Sequence, residues 1–335
     1  MQYPRTTSEA ESRTTVKIRL RRLLSASLAA ATLTLSVVAC GDTGNDSDTL
    51  TVGFVVDPSW AQIPVAAEGG HFTRHGVDVE VVNFPSGIEA LQAVAAGQVD
   101  VATAADVPTS AVLTRSPSLR VVGDGSRWEG SRIVARRSAG IASIDDLAGK
   151  SIGTPIGTSA AYFAVDALSE NAIQANLVQV APSATVTAAT QRNVDAVSIF
   201  QPYQAQVIQA LGEDAVELAG GGYSQHSLYL ATQAAIDSKG PALTAFFAAL
   251  RDAGSDLAQL SDPAVAAVAT ATQLDPELLR TVLPQFDFTL QLQPDLAAKL
   301  TELAEWARTQ GSLQDSTVLP EYAALLNAHF LTPAG

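Results

Sequence analysis

Only one of the 335 residues is a cysteine, Cys40, so no intrachain disulfide can form. Basic residues are scarce as well: 20 Lys and Arg stand against 34 Asp and Glu, a formal net charge of −14. The shortage is sharper past residue 39. Residues 1–39 hold six of the basic residues (Arg5, Arg13, Lys17, Arg19, Arg21, Arg22) and two acidic ones (Glu9, Glu11), which leaves 14 against 32 and a balance of −18. Such a surface argues against nucleic acid and anionic lipid as partners and fits a soluble monomer. There is no Cys-x-x-Cys pair, phosphate loop or dinucleotide fingerprint. The four histidines, His71, His75, His226 and His329, never take the His-Glu-x-x-His spacing of a metal site, so neither a metal nor a cofactor is expected. What is present is core material: 47% hydrophobic against 16% charged residues, enough for one large or two medium domains.

The one long apolar run, Leu23 to Ala39, is short for a membrane span, which needs about twenty such residues. It follows a basic cluster (Lys17, Arg19, Arg21, Arg22) and ends in Val37-Val38-Ala39-Cys40-Gly41. This looks like a bacterial lipoprotein signal with its lipobox: residues 1–39 are the signal peptide, cleaved before Cys40, whose sulfur takes the lipid. Arg21-Arg22 has the wrong flanks for a twin-arginine export signal. Residues 40–49, rich in Asp, Gly and Thr, then tether the folded part to the extracytoplasmic face of the cell membrane.

From Leu50 onward strands and helices alternate. Ser86 followed by Glu89 is a capping-box start, Ile88, Leu91 and Val94 recur at helical spacing, and Gly97 supplies a left-handed stop. Val99 to Thr103 is a short buried strand with Asp106 just past its end. About a hundred residues later the pattern returns: helix over 183–191, Asn193 as the stop, a strand from Val194, then Gln201-Pro202. Two such units predict an α/β protein of two lobes, each an open, mostly parallel sheet whose strands end at a shared cleft. The expected boundaries are 50–137 with 230–335 for the first lobe and 138–229 for the second. Past residue 232 the chain reads as helix, with Asp262-Pro263 and Asp275-Pro276 as cap-and-proline starts and Leu296–Gln310 as an amphipathic helix stopped by Gly311. Tyr322 to His329 is the last expected helix.

Ligand-holding residues should sit at the strand ends and helix starts. Gly157-Thr158-Ser159 enters a predicted helix, where free backbone donors, the helix dipole and two hydroxyls suit an anion or a carbonyl. The same segment misses the serine-hydrolase elbow, since Ala161 replaces the last glycine and no histidine is placed to serve Ser159. Asp57, Asp106, Asp124 and Glu129 fall at or past strand ends, where an acid accepts from an amine or a ring N–H and where helix capping is the plainer role. Trp60 and Trp128 lie in predicted turns and offer aromatic walls, as do Tyr162, Phe200 and Tyr203. Gln201 supplies a donor and an acceptor. The ligand-binding set is Asp57, Trp60, Ser86, Gly87, Asp106, Trp128, Gly157, Thr158, Ser159 and Gln201, with Cys40 as the lipidation site. His71 and His75 read as surface residues of a glycine-flanked turn.

Several of these segments, in this order, resemble one family. They are Ala66-Ala67-Glu68-Gly69-Gly70-His71-Phe72, Gly76-Val77-Asp78-Val79-Glu80, Ser86-Gly87 through Gly97-Gln98-Val99-Asp100, Ile144-Asp145-Asp146-Leu147-Ala148-Gly149-Lys150, Gly157-Thr158-Ser159, and Asn193-Val194-Asp195-Ala196 through Gln201-Pro202-Tyr203. Together they resemble the periplasmic substrate-binding proteins of ABC importers, in the group for sulfonates, taurine, nitrate and the thiamine-precursor pyrimidine. Gln201 departs from the many relatives that carry an acid before the proline. The resemblance implies a two-lobed periplasmic-binding-protein type II fold that closes on a small molecule and delivers it to an ABC permease and its ATPase. A sulfonate or taurine is the expected ligand, with an aminopyrimidine or nitrate as the alternative. Fungal pyrimidine synthases share the fold and are enzymes, but they carry a cysteine-rich iron-binding segment that a chain with Cys40 alone cannot supply.

Overall fold

The first strand, β1 (Thr49–Val55), buries Leu50, Val52 and Phe54, and everything that follows in its sheet is laid beside it. The computed structural model describes residues 48–331. The signal segment, Cys40 and all but the end of the tether lie outside the described residues.

After β1 come α1 (Gln62–Glu68), α2 (His71–Arg74), β2 (Asp78–Phe84), α3 (Gly87–Ala95), β3 (Val101–Ala105), α4 (Asp106–Leu113) and β4 (Leu119–Trp128). The second sheet is built from β5 (Ile133–Arg136), β6 (Ser151–Thr154), α5 (Ser159–Glu170), β7 (Asn176–Gln179), α6 (Thr185–Thr190), β8 (Ala196–Ser198), α7 (Tyr203–Leu211) and β9 (Ala215–Leu218). The chain then returns through β10 (Gln225–Thr232), α8 (Gln233–Ser238), α9 (Gly240–Ala258), α10 (Asp262–Thr272), α11 (Pro276–Val282), β11 (Phe286–Asp287) and α12 (Leu296–Thr309).

The strand order is β11-β4-β10-β3-β1-β2 in the first sheet and β7-β6-β8-β5-β9 in the second. Both sheets are mixed rather than mostly parallel. β1 pairs parallel with β2 and β3, but β10 lies antiparallel between β3 and β4, and β11 lies antiparallel to β4. In the second sheet β6 pairs parallel with β7 and β8, while β5 runs antiparallel to β8 and β9. Two of the antiparallel strands, β5 and β10, enter their sheets directly from the other lobe. The outward crossing is therefore 129–132, not 138–150, because β5 hydrogen-bonds within the second sheet. The return crossing is 219–224, and β10 is already a central strand of the first sheet.

The local signals mostly hold. Ser86 accepts from the Glu89 N–H at 3.3 Å and bonds the Glu89 carboxylate, and Gly97 has φ +69°. Asp275 caps α11 through the N–H groups of Glu277 and Leu278, with Pro276 next. α12 ends at Thr309, and Gly311 takes φ +71°. Other expectations need correcting. Ser261, not Asp262, caps α10. Tyr322 to His329 forms only short 3-10 turns, at Tyr322–Leu325 and His329–Leu331. His71 is buried in α2, its Nε2 2.8 Å from an Asp256 oxygen on α9 and its Nδ1 facing Arg74, so it clamps two helices together.

The largest core cluster lies around the first sheet and α9, where Leu243, Phe246, Phe247 and Leu250 are fully buried. Separate clusters fill the two faces of the second sheet. α12 pads both: Leu300 and Ala304 belong to the first core, whereas Leu303 belongs to the core of the second sheet.

The left-handed stop after α6 falls on Arg192, with φ +64°, and not on Asn193. A side chain in that region costs on the order of 1 kcal/mol. Arg192→Gly should therefore raise the unfolding free energy by up to about 1 kcal/mol, the relief of strain exceeding the added freedom of the unfolded chain. Urea denaturation of the two proteins checks it.

Candidate functional site

The parallel strands of both sheets point their C-terminal ends at one place, and a cavity of about 220 Å³ lies there. Such a position, outside the carboxyl ends of strands, is where open α/β sheets take ligands. The first sheet contributes Val55, Val56, Asp57 and Trp60 from the end of β1, Ser86, Gly87 and Ile88 from the start of α3, and Ala105 and Pro108 after β3. From the second sheet come Pro155, Ile156, Thr158 and Ser159 between β6 and α5, Gln179 at the end of β7, and Phe200 and Tyr203 after β8. Gln225, the first residue of β10, completes the wall. Wider grooves of about 630 to 660 Å³ exist elsewhere on the surface, but none of these takes residues from the ends of β1 and β3 or from the start of α5.

Each wall has a local cause. Gly87 lets the start of α3 press on β3: a Cβ there would meet the Ala104 Cβ at 3.1 Å. Gly157, with φ +81°, makes the left-handed turn into α5 and does not itself line the cavity. Thr158 is the N-cap residue of α5, yet its hydroxyl donates to the Pro155 carbonyl at 2.6 Å and makes no cap bond. The first N–H groups of this twelve-residue helix are thus left without a side-chain acceptor, at the positive end of its dipole. Ser159 Oγ donates to Gln225 Oε1 at 2.6 Å. Its partner is an amide rather than a base, so Ser159 is no activated nucleophile. Gln179 Oε1 accepts from the Ile156 N–H at 2.8 Å and steadies the loop opposite.

Asp57 is the one charged residue among those lining the cavity; none of them is Lys, Arg or His. It caps the 3-10 turn Pro58–Trp60, one carboxylate oxygen accepting from Ser59 N–H at 2.7 Å and from Ser59 Oγ at 2.6 Å. Burial nevertheless pushes its pKa up to about 6, outweighing the bonds from Ser59, which lower it. Across the cavity the Tyr203 phenol is raised, first by its own burial and then by the Asp57 charge. Trp60 is 3% exposed, and its Nε1 has no hydrogen-bond partner among the described residues.

Of the ten candidate ligand residues, Asp57, Trp60, Ser86, Gly87, Thr158 and Ser159 line this cavity, Gly157 turns the chain beside it, and three lie elsewhere. Asp106 is fully buried: it accepts from the Tyr223 hydroxyl, from His226 N–H at 3.2 Å and from Val107 N–H at 2.8 Å, and burial raises its pKa. Trp128 is not in a turn but ends β4, 1% exposed, stacked on Phe286 with its Nε1 donating to Gln285. Gln201 is buried too, bonded to Gln285 and to Ala205 N–H, and it faces a different groove, between α7 and α11. Of the other two acids expected at strand ends, Asp124 instead lies inside β4, paired with His226 and Arg127, and Glu129 falls in the outward crossing. Gln225 and Gln179 were not legible as wall residues, since a glutamine at the end of a strand carries no signal of its own.

The folded chain holds the Asp57 proton more tightly than the unfolded chain does, so ionising Asp57 costs stability as pH rises from about 4 through 6. Asn keeps the capping acceptor and removes the charge. Asp57→Asn should therefore raise the unfolding free energy near neutral pH, by at most about 3 kcal/mol, with the gain gone near pH 4. Urea titrations of both proteins at the two pH values check this.

Similarity to known proteins agrees with the geometry. The model of the "NMT1/THI5 like" family matches residues 57–264. A protein of Brucella abortus (strain 2308), named only as a binding protein, is 31% identical over 161 residues, 47% of this chain and 49% of its own length. The chain thus spans about half the length of the curated relatives it matches. Among solved structures, the periplasmic aliphatic sulphonate binding protein SsuA from Escherichia coli superposes with a TM-score of 0.73 at 18% identity, covering 83% of this chain and 97% of that one. The alkanesulfonate-binding SsuA from Xanthomonas axonopodis pv. citri, bound to MOPS, gives 0.70 at 20% identity over 84% and 98%. These two carry the fold alone: the α/β architecture of periplasmic binding proteins, here with two mixed sheets. The family model covers more than half of the chain, and the protein belongs to the NMT1/THI5-like family.

Proposed function

We propose that this protein is the solute-binding component of an ABC importer, capturing a small organic molecule between its lobes and presenting it to a permease. One observation carries the reading: a single cavity takes the ends of β1 and β3 from one sheet and the start of α5 from the other. A ligand there touches both lobes at once, so its binding energy favours the closed arrangement over an open one. The lobes in this reading are residues 48–128 with 225–331, and 133–218, joined by the two crossings. At about 220 Å³ the space is below the range of drug-sized pockets, about 300–1,000 Å³, which suits a small solute. The start of α5 offers backbone donors to an anionic or carbonyl group, as a sulfonate, taurine or nitrate would need. Only that local donor set favours an anion, because the cavity has no basic side chain among its described residues.

Screening taurine, alkanesulfonates, nitrate and aminopyrimidines by thermal shift is expected to find a solute that raises the melting temperature, the folded state gaining about 2.7 kcal/mol of stability at a hundredfold excess over Kd. The same solute should reduce the radius of gyration in small-angle scattering. Thr158→Trp, which fills the cavity from a partly exposed position, should abolish both effects and leave the unliganded melting temperature nearly unchanged. A saturating solute that leaves the radius unaltered, or that binds the Thr158→Trp protein as tightly as wild type, would place the site elsewhere.

We further propose that the protein is anchored through lipid on Cys40 at the extracytoplasmic face of the membrane, the residues before it being removed. Globomycin, which blocks lipoprotein signal processing, should make the uncleaved precursor accumulate, and Cys40→Ala should abolish incorporation of labelled fatty acid. Normal maturation under the drug counts against the anchor.

A further inference from the structure

Asp57 is an anomaly in its surroundings. A carboxylate 6% exposed, at the end of an apolar strand, normally has a cationic partner or a full set of donors. Here one oxygen is satisfied twice by Ser59, while the other takes no hydrogen bond from any described residue. Asp57 lines the cavity, and no Lys, Arg or His among the lining residues offsets its charge. The walls beside it are aromatic: Trp60 on its own lobe, and Tyr203 facing it from the other. Ring faces attract a cation and gain nothing from an anion. At the far wall stands the start of α5, with its unfilled backbone donors at Thr158 and Ser159.

Resting on the receptor reading above, we propose that Asp57 is the specificity-determining residue of the site and that the solute carries a protonated nitrogen, seated against the free Asp57 oxygen between Trp60 and Tyr203. The missing partner of a buried charge is then supplied by the ligand. A simple anion of the same size is excluded: it would place a second negative charge beside Asp57 in a space with few polar groups, and the helix start alone does not offset that repulsion. An ammonium paired with Asp57 leaves the helix start free to take an anionic or carbonyl end of the same molecule. A zwitterion or an amine with a polar tail therefore fits both walls, whereas an alkanesulfonate without nitrogen fits one. The raised carboxyl pKa accords with this, since the protein alone does not stabilise the charge.

Matched probes test it. Taurine against ethanesulfonate, and benzylamine against benzyl alcohol and benzenesulfonate, are titrated into wild type and Asp57→Asn by calorimetry near neutral pH, with scattering on the same samples. The amine member of at least one set should bind wild type about thirtyfold or more tighter than its partners, and Asp57→Asn should erase that preference. Tighter binding of ethanesulfonate, benzyl alcohol or benzenesulfonate, with compaction, overturns the inference about Asp57 and leaves the receptor reading intact. Equal amine affinity in wild type and Asp57→Asn overturns it as well. If no probe of any charge binds or compacts the protein, both readings fall. The melting curve of Asp57→Asn confirms that the variant is folded, and the comparison within wild type stands without it.

Discussion

A carboxylate sealed from water fixes the geometry on which the cavity depends. Asp106 opens α4 at the end of β3, is fully buried, and satisfies its charge with the Tyr223 hydroxyl, the His226 N–H and the Val107 N–H. Removing those donors would strand a charge in the interior, a loss of several kcal/mol. Two of the three come from the return crossing and the start of β10, so the carboxylate pins the path by which the chain leaves the second sheet. That path places Gln225 at the first position of β10, where its side chain reaches Ser159 at the start of α5. His226 is tied in turn to Asp124, its Nδ1 2.8 Å away, and Asp124 to Arg127, which continues to Asp287 on β11. The pair of carboxylates, aided by hydrogen bonding, raises the His226 pKa although burial opposes it. A chain of charges thus runs from the start of α4 across β10 and β4 to the sheet edge.

A second element ties the lobes on a different side. α12 belongs by sequence to the first lobe and packs on α4, yet its Leu303 lies in the core of the second sheet. Lys299 of the same helix sits 5.0 Å from the Tyr162 ring centre and 5.4 Å from that of Tyr223, and the Tyr162 hydroxyl donates to Glu302. Tyr223 therefore meets both Asp106 and the α12 cation. Burial, a bond to Glu302 and neighbouring acids push the Tyr162 pKa upward, so that phenol stays a neutral donor. The joint between the lobes is crossed by charged and hydrogen-bonding side chains, whereas the cavity is lined mostly by apolar groups and has Asp57 as its one charged residue.

What was legible in the chain follows from the range of the physics. Ser86 with Glu89, Gly97, Asp275-Pro276 and Gly311 act within one helical turn, and each does what its neighbours dictate. Sheet membership is not local. Ile133–Arg136 is an apolar strand in any context, and only its bonds to residues some sixty to eighty positions away assign it to the second sheet. For the same reason the parallel pattern expected from strand–helix alternation became mixed once β5 and β10 crossed. Trp128 beside polar residues looked like a turn aromatic, but its partner, Phe286, lies far along the chain. Gly157 and Thr158 marked a helix start correctly, while nothing in the chain shows that Thr158 turns its hydroxyl to Pro155 and leaves the helix end open. Asp57 carried both meanings that an acid at a strand end can have, a cap and a wall, and it serves as both.

The balance of −18 beyond residue 39 and the character of the cavity are separate facts, because surface charge is screened within about 8 Å at physiological salt. In the site proposed, recognition would be decided by the few ångströms around Asp57 and the start of α5. One wall of the cavity bears the Asp57 carboxylate, mostly buried, and the other the partial positive charge of a helix terminus. The two ends stand on different lobes, so the field between them exists only while the lobes face each other. A molecule whose own charges run the opposite way lowers the energy of that arrangement and of no other, which is what coupling ligand capture to closure requires. A ligand of one charge sign would touch both lobes yet draw on the polar end of only one, and would bias the closed state less. In the receptor reading proposed here, selectivity and closure would then share one physical origin, the separation of the cavity's two polar ends onto two bodies.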